Sequence, residues 1–82
     1  MAHYKLPLVF EPQPEGGFTV TSPLLPELLT EGDSVEDALD NVRDALAAVL
    51  ELYQDLGKPL PDGLTFACSD APVHAEILIA IP

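Results

Sequence analysis

The sequence predicts an α+β fold of two layers, in which one long helix packs on a four-stranded mixed sheet in the element order β-β-β-α-β. Three observations carry this expectation. Large apolar residues alternate near the N-terminus, apolar residues recur at spacings of three and four through the middle, and the chain closes on a β-branched run. Its 82 residues suffice for one domain, spanning 1–82, built on a single core.

Tyr4, Leu6, Leu8 and Phe10 fall on alternate positions, which places them on the core-facing side of a first strand over residues 4–10. Lys5, Pro7 and Val9 take the opposite side, and Pro7 has no backbone N–H to offer a ladder. The run Glu11-Pro-Gln-Pro-Glu-Gly-Gly17 combines fixed φ from proline with free φ from glycine and reads as a turn. Phe18-Thr-Val-Thr-Ser22 returns as a second strand. Ser22-Pro-Leu-Leu-Pro26 then breaks the pattern, and residues 27–31 form a third strand ending at Gly32.

Ser34 opens the clearest element. Its hydroxyl can accept from the backbone N–H of Asp37, and Glu36 and Asp37 favour the positive end of the helix dipole. Asp37 stands where a capping box carries Glu or Gln. Val35, Ala38, Leu39, Val42, Leu46, Val49, Leu50, Tyr53 and Leu56 follow as one apolar stripe, and Gly57 suits a left-handed C-cap. Glu36, Asp37, Asp40, Asp44, Glu51 and Asp55 lie off the stripe, opposed only by Arg43, so the helix should present an acidic outer face.

Beyond the helix, Lys58-Pro-Leu-Pro-Asp-Gly63 reads as a turn-rich exit into a long loop, with a brief extended possibility at residues 64–67. Val73-His-Ala-Glu-Ile-Leu-Ile-Ala-Ile81 becomes continuously apolar and suggests a strand buried on both faces. Paired beside the first strand, it would make the helix a right-handed crossover and give the spatial order 3-2-1-4. One helix covers one face of such a sheet. Val9, Leu78 and Ala80 would leave an apolar patch on the other, to be covered by a second subunit or by the loop carrying Leu60, Leu64 and Phe66.

Composition narrows the partners. Fourteen Asp and Glu face three Lys and Arg, for a net charge of −11, and the isoelectric point is near 4.1. Lys5, Arg43 and Lys58 are too few and too dispersed for a phosphate-binding patch, so direct nucleic-acid binding is not expected. The same field would speed the approach of a basic protein or simply keep the domain soluble. High apolar content in a small chain makes self-association, as a dimer or tetramer, a source of extra burial. Without a signal sequence or an apolar stretch of roughly 20 residues, the expected location is the cytoplasm.

Chemistry-bearing constellations are sparse. Cys68 is the single cysteine, which rules out an intramolecular disulfide and multi-thiol zinc spacings. Asp37, Asp40 and Asp44 could bring carboxylates together, but nothing supplies further metal ligands or a binding loop. His3 and His74 lack a companion at ligand spacing, and Ser22, Ser34 and Ser69 lack a nucleophile elbow. Gly16 and Gly17 belong to the hairpin turn. No catalytic residue, cofactor or metal ligand is expected, and a binding role is favoured over an enzyme.

Ser22-Pro-Leu-Leu-Pro26, followed by Thr30-Glu-Gly-Asp-Ser-Val-Glu-Asp-Ala-Leu-Asp-Asn41 and Ala45-Leu46, resembles the HicB-like antitoxin pattern, and the likeness runs over residues 4–56. In that pattern a proline-containing turn leads to a short strand, a Gly-Asp-Ser/Thr helix start and an amphipathic helix; glycine permits the turn, Ser34 caps, and Ala38 allows close packing. The resemblance implies a degenerate ribonuclease-H-like half-fold that binds and blocks a small basic messenger-RNA-cleaving toxin of HicA type, without nuclease activity of its own. Relatives usually add a C-terminal DNA-binding module, so this chain reads as a short form for which autorepression is not expected. Where the family commonly has a small residue, often glycine, after the second proline, this chain has Glu27-Leu28.

The leading expectation is therefore an antitoxin-like module whose partner-binding residues are Asp37, Asp40, Asp44, Glu51 and Asp55. A stand-alone oligomeric domain without a toxin is the alternative, and a metal-dependent nuclease would require carboxylates converging in one cleft.

Overall fold

A computed structural model describes residues 3–66, 72, 74–79 and 81–82. The elements are β1 (His3–Tyr4), β2 (Val9–Pro12), β3 (Phe18–Thr21), β4 (Leu29–Gly32), α1 (Val35–Leu56) and β5 (Thr65–Phe66). β2, β3 and β4 form a three-stranded antiparallel sheet with β3 at its centre, and β1 pairs with β5 in a separate two-stranded one. Helix α1 packs on β4 and β3, so the architecture is α+β with the helix on one face of the main sheet. Among the described residues no helix is long and apolar enough to cross a membrane.

Register assigns the faces. Phe10, Val20 and Thr30 stand side by side, as do Pro12, Phe18 and Gly32, while Val9, Thr21 and Leu29 share the opposite face. Val20 is fully buried and Phe10 and Phe18 pack on the core, their rings edge to face at 6.0 Å. The first set therefore faces the helix. Leu25, Leu28, Ala38, Val42, Val49, Tyr53 and Leu64 complete that core.

The expected first strand is split at Pro7. Residues 5–8 belong to neither sheet, although Leu6 and Leu8 still pack on the core, and the Lys5 N–H donates to the Leu64 carbonyl at 2.8 Å. A residue without a donor at the middle of a short strand interrupts the ladder while leaving the side-chain alternation intact. The third strand begins two residues later than expected because residues 25–28 form a turn, closed by the Leu28 N–H on the Leu25 carbonyl with Pro26 in the second position. The two-proline segment read as an interruption supplies one of the largest fully buried side chains, Leu25, and Leu28 of the expected third strand supplies another.

The order 3-2-1-4 is not formed among the described residues. Residues 74–79 lie in no strand, and Ile77, Leu78 and Ile79 are exposed; Val73 and Ala80 of the expected closing strand lie outside the described residues. β1 pairs instead with β5, at His3–Phe66 and Tyr4–Thr65. The brief extended stretch after Gly63 reaches it first, drawn in by Leu64, which is fully buried in the helix-side core. Leu60 packs there too, so the loop buries these leucines under the helix layer. Val9 and Leu29, on the sheet's outer face, remain exposed at 45% and 67%.

Helix α1 follows the sequence at both ends. The Ser34 hydroxyl accepts from the Asp37 N–H at 3.1 Å, and Gly57 takes a left-handed φ of 64° with its N–H donating to the Gln54 carbonyl. Leu39 and Leu56, counted in the apolar stripe, are exposed at 39% and 68%, Leu56 as the last residue of the helix.

Gly32 matters for a different reason than a turn. Its φ is not positive, but a Cβ built on it would meet the Ala38 backbone, 2.5 Å from its Cα, and the Ala38 Cβ at 2.9 Å. The end of β4 therefore lies directly against the first turn of the helix, at a separation only glycine permits. Gly32→Ala should cost about 1–3 kcal/mol as an overpacking substitution at backbone, and Ser34→Ala about 1 kcal/mol as a lost cap. Urea unfolding should reproduce that ordering with an unchanged slope.

Candidate protein-binding surface

Asp37, Asp40, Asp44, Glu51 and Asp55 are all exposed, and with Glu36 they occupy the side of α1 turned away from Ala38, Val42 and Val49. Asp37 to Asp55 spans about 27 Å at the helical rise. Asp40 and Asp44, and Glu51 and Asp55, stand four residues apart, a like-charge spacing that costs a helix a few tenths of a kcal/mol per pair. Asp55 lies in the last turn, against the negative end of the dipole, where no basic residue stands. Helix stability therefore does not account for this run of charge.

The five residues are not equivalent. Asp37 is committed locally, since its carboxylate accepts from the Asp33 N–H at 2.9 Å while its own N–H serves the Ser34 cap. That carboxylate closes the capping box one residue earlier than a Glu would, on Asp33 rather than Ser34. Asp40, Asp44, Glu51 and Asp55 make no side-chain hydrogen bond or salt bridge among the described residues. They form the part of the face available to a partner.

The acidic surface continues beyond the helix. Glu15 in the hairpin turn, Glu31, Asp33 and Asp37 line an open hollow of about 430 Å³ floored by Phe18 and Gly32. Asn41 fixes its wall by donating to the Glu31 carbonyl at 2.7 Å, joining helix to β4. Among the described residues no three His, Cys, Asp or Glu side chains converge in a geometry that could hold a metal ion.

A second polar cluster, absent from the sequence reading, lies near the far end of the helix. The Tyr53 hydroxyl donates to Glu27 Oε2 at 2.8 Å, Lys58 Nζ meets Glu27 Oε1 at 3.2 Å, and the Lys58 ammonium sits 4.6 Å from the Tyr53 ring centroid. Glu27 occupies the third position of the 25–28 turn without a positive φ. A glycine is thus not needed there, and the position carries a side chain that ties the turn to the helix end. Sequence spacing offers no sign of a pair 26 and 31 residues apart.

The hydrogen bond from Tyr53, with help from Lys58, holds the Glu27 carboxyl below its ordinary value. The same contact with Glu27 raises the Tyr53 hydroxyl and the Lys58 ammonium. A carboxyl lowered on folding adds stability above its ordinary value of 4.5 and loses it as pH falls through the lowered one. Tyr53 and Lys58, both raised, add stability below 10.0 and 10.5 and lose it as pH rises further. The stability gap between the wild-type chain and Glu27→Gln should therefore be widest from weakly acidic to weakly alkaline pH and close toward both extremes. Urea midpoints measured against pH on the two proteins check this.

Fold and surface define a two-layer α+β domain presenting one continuous acidic face on a capped amphipathic helix. No protein-family model matches the chain. It is 40% identical over 57 residues to antitoxin HicB 1 of Photorhabdus laumondii subsp. laumondii, covering 70% of this chain and 37% of that protein. It is 36% identical over 62 residues to antitoxin HicB of Escherichia coli K12, covering 73% and 45%. Antitoxin HicB 2 of the same Photorhabdus strain is 33% identical over 79 residues, covering 92% of this chain and 56% of the relative. The chain is a HicB-like homologue of these antitoxins. The matches span roughly half or less of the relatives' own length.

Proposed function

We propose that the chain is an antitoxin-like binding module that neutralises a small basic RNA-cleaving toxin of HicA type. The observation that carries the reading is the acidic face of α1, with Asp40, Asp44, Glu51 and Asp55 exposed and unengaged on a chain of net charge −11. A ribonuclease that holds RNA must present cationic side chains to phosphates. A rigid row of carboxylates competes for those side chains and blocks the approach of RNA. The names of the relatives, all HicB antitoxins, support the same reading.

Neutralisation of this kind requires no catalysis, cofactor or metal from the antitoxin, and an acidic chain would not bind nucleic acid directly. The proposal places the protein in the cytoplasm as a homo-oligomer, a dimer or tetramer. The ribonuclease-H-like half-fold with a fourth strand belongs to the same proposal: residues 74–79 would join the sheet in the assembled state, where a second chain supplies the burial a lone chain lacks. A stand-alone oligomeric domain without a toxin is the competing reading, favoured by the exposed outer sheet face at Val9 and Leu29.

Binding to a HicA-type ribonuclease separates the two. Replacing Asp40, Asp44 and Glu51 together with Lys should slow association by about tenfold or more at low salt and release RNA cleavage, and the difference should shrink as salt screens the charges. Surface plasmon resonance across ionic strengths reads this. Unchanged kinetics would move the contact off the helix face, and no binding by the wild-type chain would leave the stand-alone reading.

A further inference from the structure

Charge alone does not describe what stands beside the acidic row of α1. Asp44, Ala48, Leu52 and Leu56 succeed one another every four residues and form one ridge of the helix, about 18 Å long at the helical rise. Glu51 and Asp55 stand on the adjoining ridge, so Ala48 has Asp44 four residues before it, Glu51 three after and Asp55 seven after, all on neighbouring turns. Ala48 is exposed, and Leu52 and Leu56 meet solvent over 43% and 68% of their surface. Neither leucine belongs to the core or to the partly buried side chains packed against it. Asn41, two turns before Ala48 on the same line, reaches the Glu31 carbonyl of the edge strand β4. The ridge therefore lies on the β4 side of the helix, outside the core, with carboxylates along its solvent flank.

Resting on the toxin-binding reading above, we propose that Ala48, Leu52 and Leu56 are the anchoring part of that surface: they receive an aliphatic or aromatic side chain of the basic partner, whose flanking lysines or arginines pair with Asp44, Glu51 and Asp55. Charge selects this occupant. A second copy of the chain laid on the same ridge would set these carboxylates against their own kind between two molecules of charge −11, and nucleic acid or an anionic membrane would meet the same repulsion. A cationic protein is attracted by the flank and loses apolar surface to the ridge. The two halves of the contact act at different stages. Carboxylates draw the partner in from a distance and set the association rate, which salt screens. The apolar ridge acts only once water is expelled, so it sets how long the complex lasts. Exposed leucines are ordinary on a protein surface; these two are set apart by the unengaged carboxylates on the adjoining turns, which exclude every occupant but a basic one.

Rate constants for the full chain binding an inactive HicA-type ribonuclease test the assignment. Leu52→Ala/Leu56→Ala should raise the dissociation rate at least tenfold, while the association rate and its salt dependence stay at the wild-type values. Ala48→Gln leaves charge and both leucines in place and substitutes one good helix former for another, so it keeps the fold and should also speed dissociation by crowding the ridge. Helical circular dichroism and the urea midpoint of Ala48→Gln should match the wild type. Dissociation at the wild-type rate in both variants, or an effect confined to association, overturns the assignment and leaves the toxin reading standing, since that reading rests on wild-type binding. A wild-type chain that binds no such ribonuclease at any salt concentration removes both.

Discussion

The contact between the end of β4 and the first turn of α1 sets the rest of the structure. Gly32 lies against the Ala38 backbone with no room for a Cβ, and this approach fixes both the height of the helix above the sheet and its direction of departure. From there the stripe of Val42, Val49 and Tyr53 falls over Val20, Leu25 and Leu28. A larger residue at either position would lift the helix start and open the core beneath it. The Asn41 bond to the Glu31 carbonyl and the Asp37 bond to the Asp33 N–H hold the same junction from its polar side. Packing and capping thus converge on a few residues, which are also where the acidic face begins.

That geometry separates the molecule into surfaces of distinct chemistry. The buried side of α1 stabilises the fold, its outer side carries charge, and the trough beside residues 3–10 is apolar. Charge and the apolar trough thus occupy different sides of one domain. The acidic side is paid for in helix stability, since Asp55 opposes the dipole and the i,i+4 carboxylates repel one another. Burial of the stripe and well-made caps at Ser34 and Gly57 offset that penalty.

How much was legible in the sequence depended on whether the signal was local. The helix from Val35 to Leu56 was readable to its caps, because a serine three residues before Asp37, a 3.6 period and a terminal glycine each act within a turn or two. The hairpin was readable for the same reason. The acidic outer face followed from the period alone, and Asp40, Asp44, Glu51 and Asp55 stand where it placed them. What escaped was tertiary. Nothing near Pro26 announces that Leu25 and Leu28 plug the core, that Glu27 reaches Tyr53 and Lys58, or that Gly32 is required for proximity instead of φ. The closing segment failed differently: its β-branched composition describes a strand, but composition does not say which edge a strand will find.

The succession of contacts along the chain has a kinetic meaning. β2 pairs with β3, β3 with β4, and α1 packs on β4, so each element meets its immediate neighbour in sequence. A ribosome that has released residues up to Gly57 has delivered the whole three-stranded sheet and its helix, and low contact order lets such a unit assemble quickly. The apolar segment over residues 77–79 emerges after it, onto a surface already formed. It therefore meets a folded surface instead of unfolded chain, which limits its opportunity to aggregate.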